Sequence, residues 1–389
     1  MSPLRILVFV AVVAVVLGGG HYYLWARLVR DTELPAPWAG LARGLLVGLA
    51  VAVLVGIATV RSAPRAVSSP LMWVVYLWFG LFFFLLVLTG TVDLIRAAVG
   101  LAQTLGGVPP PDTERRMLLA RVAGAAVGVG AVGLGVTGIA NVLRPLAVKR
   151  VQVRLAKLPD GFAGYRIVQI TDVHVGPTIG KAFIESLVEK VNALQPDAIA
   201  ITGDLVDGSV SELGPLVAPL AKLEAKDGVY FVTGNHEYYS GVDEWLAFLK
   251  TLGIRSLRNE RVAVGGPAGF DLAGIDDAHS GGFGRGHGPD LARAVAGRDP
   301  SRALVLLAHQ PTAIDRSEEL GVDLQLSGHT HGGQIFPWSL LVRIAYPYIA
   351  GLYARGRTQV YVSSGTGYWG PPMRIGTAAE VTQIDLLRA

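Results

Sequence analysis

At 389 residues the chain is longer than one ordinary hydrophobic core, and two units are the expectation. It is 51% hydrophobic and only 16% charged, against about 25% charged in a typical soluble domain, and the apolar excess before residue 150 points to membrane spans. It has no cysteine, which excludes disulfides, thiolate nucleophiles and cysteine-ligated zinc.

The charge divides the chain. Residues 1–150 hold 13 Lys and Arg against 5 Asp and Glu, and residues 151–389 hold 21 against 25. The first part therefore sets the basic pI of about 9.3. The second has no basic surplus, so no nucleic-acid partner is expected.

Four apolar runs come first, making residues 1–146 a membrane domain. Residues 6–25 are uncharged and about as long as the roughly 20 residues a span requires. The run lacks a clear small-residue cleavage site, which favours a retained helix over a signal peptide. Tyr22, Tyr23 and Trp25 suit the membrane interface, and Arg27 and Arg30 follow. Residues 38–60 form the second run, with Arg43 placed near its start to snorkel and Arg61 and Arg65 after it. Residues 71–92, rich in Trp, Phe and Leu, form the third. Pro109, Pro110, Pro111 and Asp112 then break the chain. The fourth run, residues 122–142, places Gly124 and Gly128 in a GxxxG spacing. That spacing fits close helix contact, and equally a loosely packed span. No Asp, Glu, Lys or Arg stands at the centre of a run, which disfavours an ion pathway.

Orientation follows from the arginines. Arg115 and Arg116, ahead of a modestly apolar helix, resemble a twin-arginine export signal and also an ordinary cytoplasmic flank. Either reading puts residues 93–121 in the cytoplasm. Arg27, Arg30, Arg43, Arg96, Arg115, Arg116 and Arg121 lie on one side, and Arg5, Arg61 and Arg65 on the other. The positive-inside rule then leans toward an extracytoplasmic second domain. The cluster Arg144, Lys149, Arg150 and Arg154 opposes this and, if counted, levels the comparison.

After residue 150 the period changes to alternating strands and amphipathic helices. Strands are expected at 167–170, 198–202, 229–233, 270–275, 304–307, 324–326, 359–363 and 381–386. Helices are expected at 182–194, 213–223, 243–252, 291–296 and 312–320. This pattern makes residues 150–389 an α/β domain with mixed sheets.

Polar clusters follow the strand ends. They are Asp172-x-His174, Gly203-Asp204-x-x-Asp207-Gly208, Gly234-Asn235-His236-Glu237, His309 and Gly328-His329-Thr330-His331. Residues i and i+2 of a strand point the same way, so Asp172 and His174 project together. Five of the eight histidines fall in these clusters. Histidine nitrogen and aspartate oxygen suit Mn, Fe or Zn. Asp204 is the natural bridge between two cations, and Asn235 offers a neutral amide oxygen. Asp207 is expected to orient a ligand or its loop, Glu237 to be as readily structural as functional, and Asp276 and Asp277 to serve a turn. His279 and His287 are expected to be solvated, beside a Gly-rich loop that lacks the end of a P-loop.

These clusters resemble the calcineurin-like metallophosphoesterase superfamily over residues 150–389. The stretch Gly328-His-Thr-His-Gly-Gly-Gln-Ile335, with Tyr361-Val-Ser-Ser-Gly365, is similar to its membrane-associated bacterial branch of phosphodiesterases and UDP-diacylglucosamine pyrophosphatases. The resemblance implies two mixed sheets sandwiched between helices. It implies one metal on Asp172, His174, Asp204 and His331, and a second on Asp204, Asn235, His309 and His329. His236 would stand beside them without ligating, to steady the transition state or protonate the leaving oxygen. Paired divalent cations clamp a phosphoryl group and acidify a water for in-line attack.

Residues 335–353 are unusually apolar, which fits either core packing or a lip that dips into the bilayer. The expected activity is hydrolysis of a phosphodiester or pyrophosphate, with a lipid-linked substrate favoured by the membrane domain. The alternatives are a nuclease or phosphoprotein phosphatase, or a non-catalytic metal-binding sensor or scaffold.

Overall fold

A computed structural model of the chain describes residues 3–60 and 63–389. Arg61 and the side chain of Arg5 lie outside the described residues. Contacts divide the chain into two compact units, one of residues up to 139 with 370–372, the other of 140–369 with 373–389.

The first unit is helical. Its helices are α1 (Pro3–Trp25), α2 (Ala36–Thr59), α3 (Arg65–Leu105) and α4 (Thr113–Leu143). Among the described residues, α2, α3 and α4 are long and apolar enough to cross a membrane, with mean hydropathies of 2.3, 2.5 and 1.9. Leu41, Leu45, Val129 and Val136 expose their side chains, as a lipid-facing surface would.

Helix α3 runs past both ends of the expected span, and at 41 residues it is about 60 Å long. Hydropathy marked its apolar middle, but nothing in the chain ends the helix until Gly106 and Gly107. Asp93 remains helical because it is neutralised, accepting from Arg27 Nε at 2.9 Å and Tyr23 Oη at 2.7 Å. Only half of the GxxxG pair is used, since a Cβ on Gly124 would meet Thr32 at 3.2 Å while Gly128 faces open space. His21 is buried in α1 and fully satisfied, with Nδ1 donating to the Leu17 carbonyl at 2.7 Å and Nε2 accepting from Trp78 Nε1 at 3.0 Å.

The second unit has two six-stranded sheets. Strands β1 (Ala147–Leu155), β2 (Tyr165–Ile170), β3 (Ala198–Ile201), β4 (Val229–Phe231) and β5 (Ile254–Ser256) belong to one, with the final strand β12 (Glu380–Arg388). Its order is β1-β12-β2-β3-β4-β5. Strands β6 (Glu260–Val264), β7 (Phe270–Gly274), β8 (Leu304–Leu307), β9 (Leu324–Ser327), β10 (Gly351–Arg355) and β11 (Thr358–Val362) make the other, ordered β10-β11-β9-β8-β7-β6. Both sheets are mixed. β2 to β5 run parallel, as do β7, β8, β9 and β11.

Side-chain alternation sets the layers. Ile167, Ala198 and Ala200 of the first sheet pack with Leu272, Val305, Leu324 and Tyr361 of the second, forming the core between the sheets. Val168, Ile170, Ile199 and Ile201 turn the other way, onto helices α5 (Lys181–Asn192), α6 (Val210–Val217) and, beyond a short α7 (Asn235–Ser240), α8 (Val242–Thr251). Ala273, Leu304 and Leu306 face α9 (Leu291–Val295), and α10 (Ile314–Glu319) packs on β11. The architecture is the expected sandwich of two mixed sheets between helices. A last helix, α11 (Trp338–Ala345), follows β9 and was not anticipated as a helix.

Candidate metal centre

Parallel strands end together, and the loops after β2, β3, β4, β8 and β9 open into one crevice. Asp172 and His174 follow β2, Asp204 follows β3, Asn235 and His236 follow β4, His309 follows β8, and His329 and His331 follow β9. All eight expected site residues therefore meet in one place, drawn from both sheets.

The backbone there is strained. Asp172, His174, Asp204, His329 and His331 have φ of 53, 55, 51, 72 and 51°, a region costly for residues with a Cβ. The strands curl sharply as they end, and this aims the side chains inward. Two glycines admit the neighbouring carboxylates. A Cβ on Gly234 would stand 2.2 Å from Asp204 Oδ1, and one on Gly328 would stand 2.2 Å from Asp172 Oδ2.

Donor atoms gather in groups. Asp172, His174 and His331 place one ligand atom each within 4.8 Å of one another, and so do Asp204, His309 and His329. His174 Nε2 lies 3.1 Å from His331 Nε2, and His329 Nδ1 lies 3.2 Å from His309 Nε2. Asp204 Oδ2 sits between the groups, 3.2 Å from His309 Nε2 and 3.8 Å from His174 Nε2. The tautomers are set from outside the crevice. His309 Nδ1 donates to the Thr202 carbonyl at 2.8 Å, and His174 Nδ1 donates to Asp207 Oδ1 at 3.1 Å. Both Nε2 atoms are thereby left to point inward.

Two observations test whether these residues fit divalent cations. The buried Asn235 Oδ1 has no hydrogen-bond partner, an unusual state for a buried amide oxygen. Its chain neighbours Gly234 and His236 both abut Asp204, the latter through its backbone N–H at 2.9 Å, so a cation held at Asp204 would offer that oxygen a partner. The electrostatics agree. Burial works to lower the His309 pKa, yet the Asp204 and Asp172 carboxylates lift it well above its usual value. Burial also opposes a charge on His236, but Asp207 and Asp204 raise it to about 9. His329 is held down to about 3 by burial and the His309 charge. His331 is held well below its usual value by burial, His174 and Arg374. The carboxylates attract positive charge while two imidazoles stay neutral with open lone pairs. That is the chemistry of a cation site.

Asp207 does more than orient one ligand. Its Oδ1 accepts from His174 Nδ1 and, at 2.5 Å, from His236 Nδ1. The same three residues form a third group of donor atoms, but both Nδ1 atoms are committed to the carboxylate. His236 Nε2 remains free, 4.0 Å from Asp204 Oδ2.

Sequence reasoning undervalued two residues. Glu237 is buried and accepts from the backbone N–H groups of Asp204 at 3.0 Å, Leu205 at 2.8 Å and Gly234 at 2.7 Å. Burial and the Asp204 charge raise its pKa to about 7. Arg374 is wholly buried and donates to the carbonyls of Gly367 at 2.7 Å, Ser364 at 2.8 Å and His331 at 3.2 Å. Its only sequence signal is an arginine amid small and apolar residues near the last strand.

The weaker candidates are structural. Asp276 pairs with Arg258, and Asp277 accepts from Gln310 Nε2 at 2.9 Å. His279 is exposed as expected. His287 is not, with only 11% of its side chain exposed, because it packs against Arg258 and Tyr238.

The calcineurin-like phosphoesterase family model matches residues 165–333. A transmembrane protein with metallophosphoesterase domain from Bos taurus is 43% identical over 268 residues, 66% of this chain and 60% of that protein. An uncharacterized metallophosphoesterase of Helicobacter pylori is 42% identical over 245 residues, covering 62% and 64%. An uncharacterized metallophosphoesterase of Aquifex aeolicus is 34% identical over 244 residues, covering 62% of this chain and 92% of its own length. The chain spans less than two thirds of the first two of these relatives.

Proposed function

The chain belongs to the calcineurin-like metallophosphoesterase family, and from that premise we propose that it hydrolyses a phosphodiester or pyrophosphate linked to a lipid. The observation that carries the hydrolase reading is Asp204. It stands between two donor groups, with the orphan Asn235 oxygen beside it. In this reading Asp172, His174, Asp204 and His331 hold one divalent cation, and Asp204, Asn235, His309 and His329 hold the other. Mn, Fe and Zn all suit the donors. When bound, the two cations neutralise phosphoryl oxygens and acidify a water.

The protein's own groups do the rest. Asp207 fixes His236 through Nδ1 and keeps it protonated at neutral pH, its pKa lifted to about 9 against the effect of burial. Its Nε2–H is then available to the phosphoryl oxygens and the leaving oxygen, as charge stabiliser and general acid. Asp207 turns the imidazole so that this proton faces the crevice. Glu237 and Arg374 hold the loops that carry Asp204 and His331. No side-chain nucleophile is needed.

The lipid part of the reading is supported by the membrane-crossing helices and by exposed apolar residues beside the crevice. The test is purification with Mn and assay against phosphomonoesters, phosphodiesters and lipid pyrophosphates. Turnover confined to the diesters or pyrophosphates is expected. Metal-loaded protein without turnover on any of them favours a scaffold and overturns the reading.

A further inference from the structure

The segment after the last donor, His331, carries an apolar surface that its own domain leaves uncovered. Helix α11 has no buried residue. Phe336, Trp338, Leu340, Leu341 and Ile344 are 52, 52, 53, 54 and 82% exposed. At 100° per residue, Leu340, Ile344, Leu341 and Trp338 sweep one arc of about 160°. Ser339 and Val342, both half-buried, face inward. Arg343, exposed, lies about 60° beyond the Leu340 end of the arc.

This surface borders the crevice and is anchored to it. Phe336 N donates to the Ile375 carbonyl at 2.9 Å, and the Gln334 side chain bonds the Trp369 backbone in both directions, at 2.9 and 3.0 Å. Past the other end of α11, Tyr346 Oη lies 2.9 Å from His329 Nε2. Trp369, 55% exposed, has its ring 5.6 Å from His236. The donor residues and the uncovered apolar side chains therefore belong to one rim.

We propose that α11 and Phe336 seat in the acyl region of a lipid bilayer, so that the metal centre takes its substrate from the membrane interface. The proposal rests on the phosphoesterase reading for its purpose and on geometry for its site. Three features identify the occupant. The same chain carries helices fit to cross a membrane, so an apolar phase is always at hand. Helix α4, apolar enough to cross a membrane, ends at Leu143, and β1 begins at Ala147, three residues further on. An amphipathic helix with Trp, Phe and Leu outward and an exposed arginine beyond that face suits acyl chains below and anionic headgroups beside them.

The chain has no native cysteine, so single sites can be labelled. Full-length protein carrying a nitroxide at Leu341→Cys or Ile344→Cys is placed in phosphatidylcholine–phosphatidylglycerol vesicles, with Asp243→Cys, a residue whose side chain is 78% exposed, as reference. Oxygen collisions should exceed nickel-chelate collisions severalfold at 341 and 344, and the order should reverse at 243. Chelate access at 344 equal to that at 243 overturns the proposal. Shielding from both reagents also overturns it and assigns the face to a protein, either a second copy or another partner.

The double variant Leu341→Glu, Ile344→Glu gives the functional arm. Turnover of diacylglycerol pyrophosphate in the same vesicles should fall on the order of tenfold, with bis(p-nitrophenyl) phosphate turnover unchanged. Equal loss on both substrates counts against the lip. If the unaltered protein turns over neither, the phosphoesterase reading fails while the nitroxide measurement still decides the docking.

Discussion

At the residue scale, the proposed reading gives His236 and Asp207 work distinct from holding the cations. His236 touches Asp207 and faces the crevice but lies in neither of the two donor groups assigned to the cations. His236→Ala should therefore retain both metals by elemental analysis while turnover falls by about 10²–10⁴-fold, the usual worth of a general acid. Loss of metal together with activity would instead make His236 a ligand. Asp207→Asn keeps an oxygen that can accept from both Nδ1 atoms but removes the carboxylate's charge. We expect about 10–100-fold loss in activity or metal affinity, as for other residues that orient a ligand. Its signature is a lower apparent pKa of His236, readable by NMR, because the carboxylate that lifts that pKa is gone. A simple packing defect would not move it.

At the scale of elements, the loop after β3 is held by one carboxylate. Glu237 accepts three backbone N–H groups, which lets Asp204 keep its φ of 51°. Glu237→Gln turns one acceptor into a donor facing an N–H. A buried unsatisfied pair costs about 1–3 kcal/mol, so the thermal transition of the metal domain should fall by several degrees. An unchanged midpoint would mean the loop does not depend on Glu237.

Strand legibility followed position in the sheet. The eight strands expected from sequence, β2, β3, β4, β7, β8, β9, β11 and β12, are the interior ones. The four missed, β1, β5, β6 and β10, are the four edges. Interior strands are buried on both faces and read as continuous apolar runs such as Leu304–Leu307. Edge strands such as Ala147–Leu155 carry charges that blunt their open side and dilute the apolar signal.

For the whole molecule, the proposed centre predicts that metal binding and folding are coupled. Closely spaced carboxylates and strained ligand loops should be stabilised by bound cations. Chelation should lower the midpoint of the metal domain's transition by several degrees, and Mn should restore it. Insensitivity to chelation would argue that the cations are not structural. Orientation can be read with the same cysteine-free background. The arginine balance predicts that Asp243→Cys in intact cells reacts with a membrane-impermeant maleimide, and reaction only after lysis would reverse the assignment.

Local sequence was enough to divide the chain into an apolar helical part and an α/β part, because hydropathy and period are local properties. It also determined which donors stand at strand ends, since Asp172-x-His174 or Gly328-His-Thr-His is read within a few residues. What those donors share depends on how the strands pack. Asp207 lies 33 residues from His174 and 29 from His236, and Arg374 lies 43 from His331. Such pairings arise when strands of two sheets end side by side, which no local pattern encodes. The same holds for residues 335–353. Their composition was equally that of a core, and it took the packing of β9, β11 and the Gln334–Trp369 contact to leave α11 facing outward.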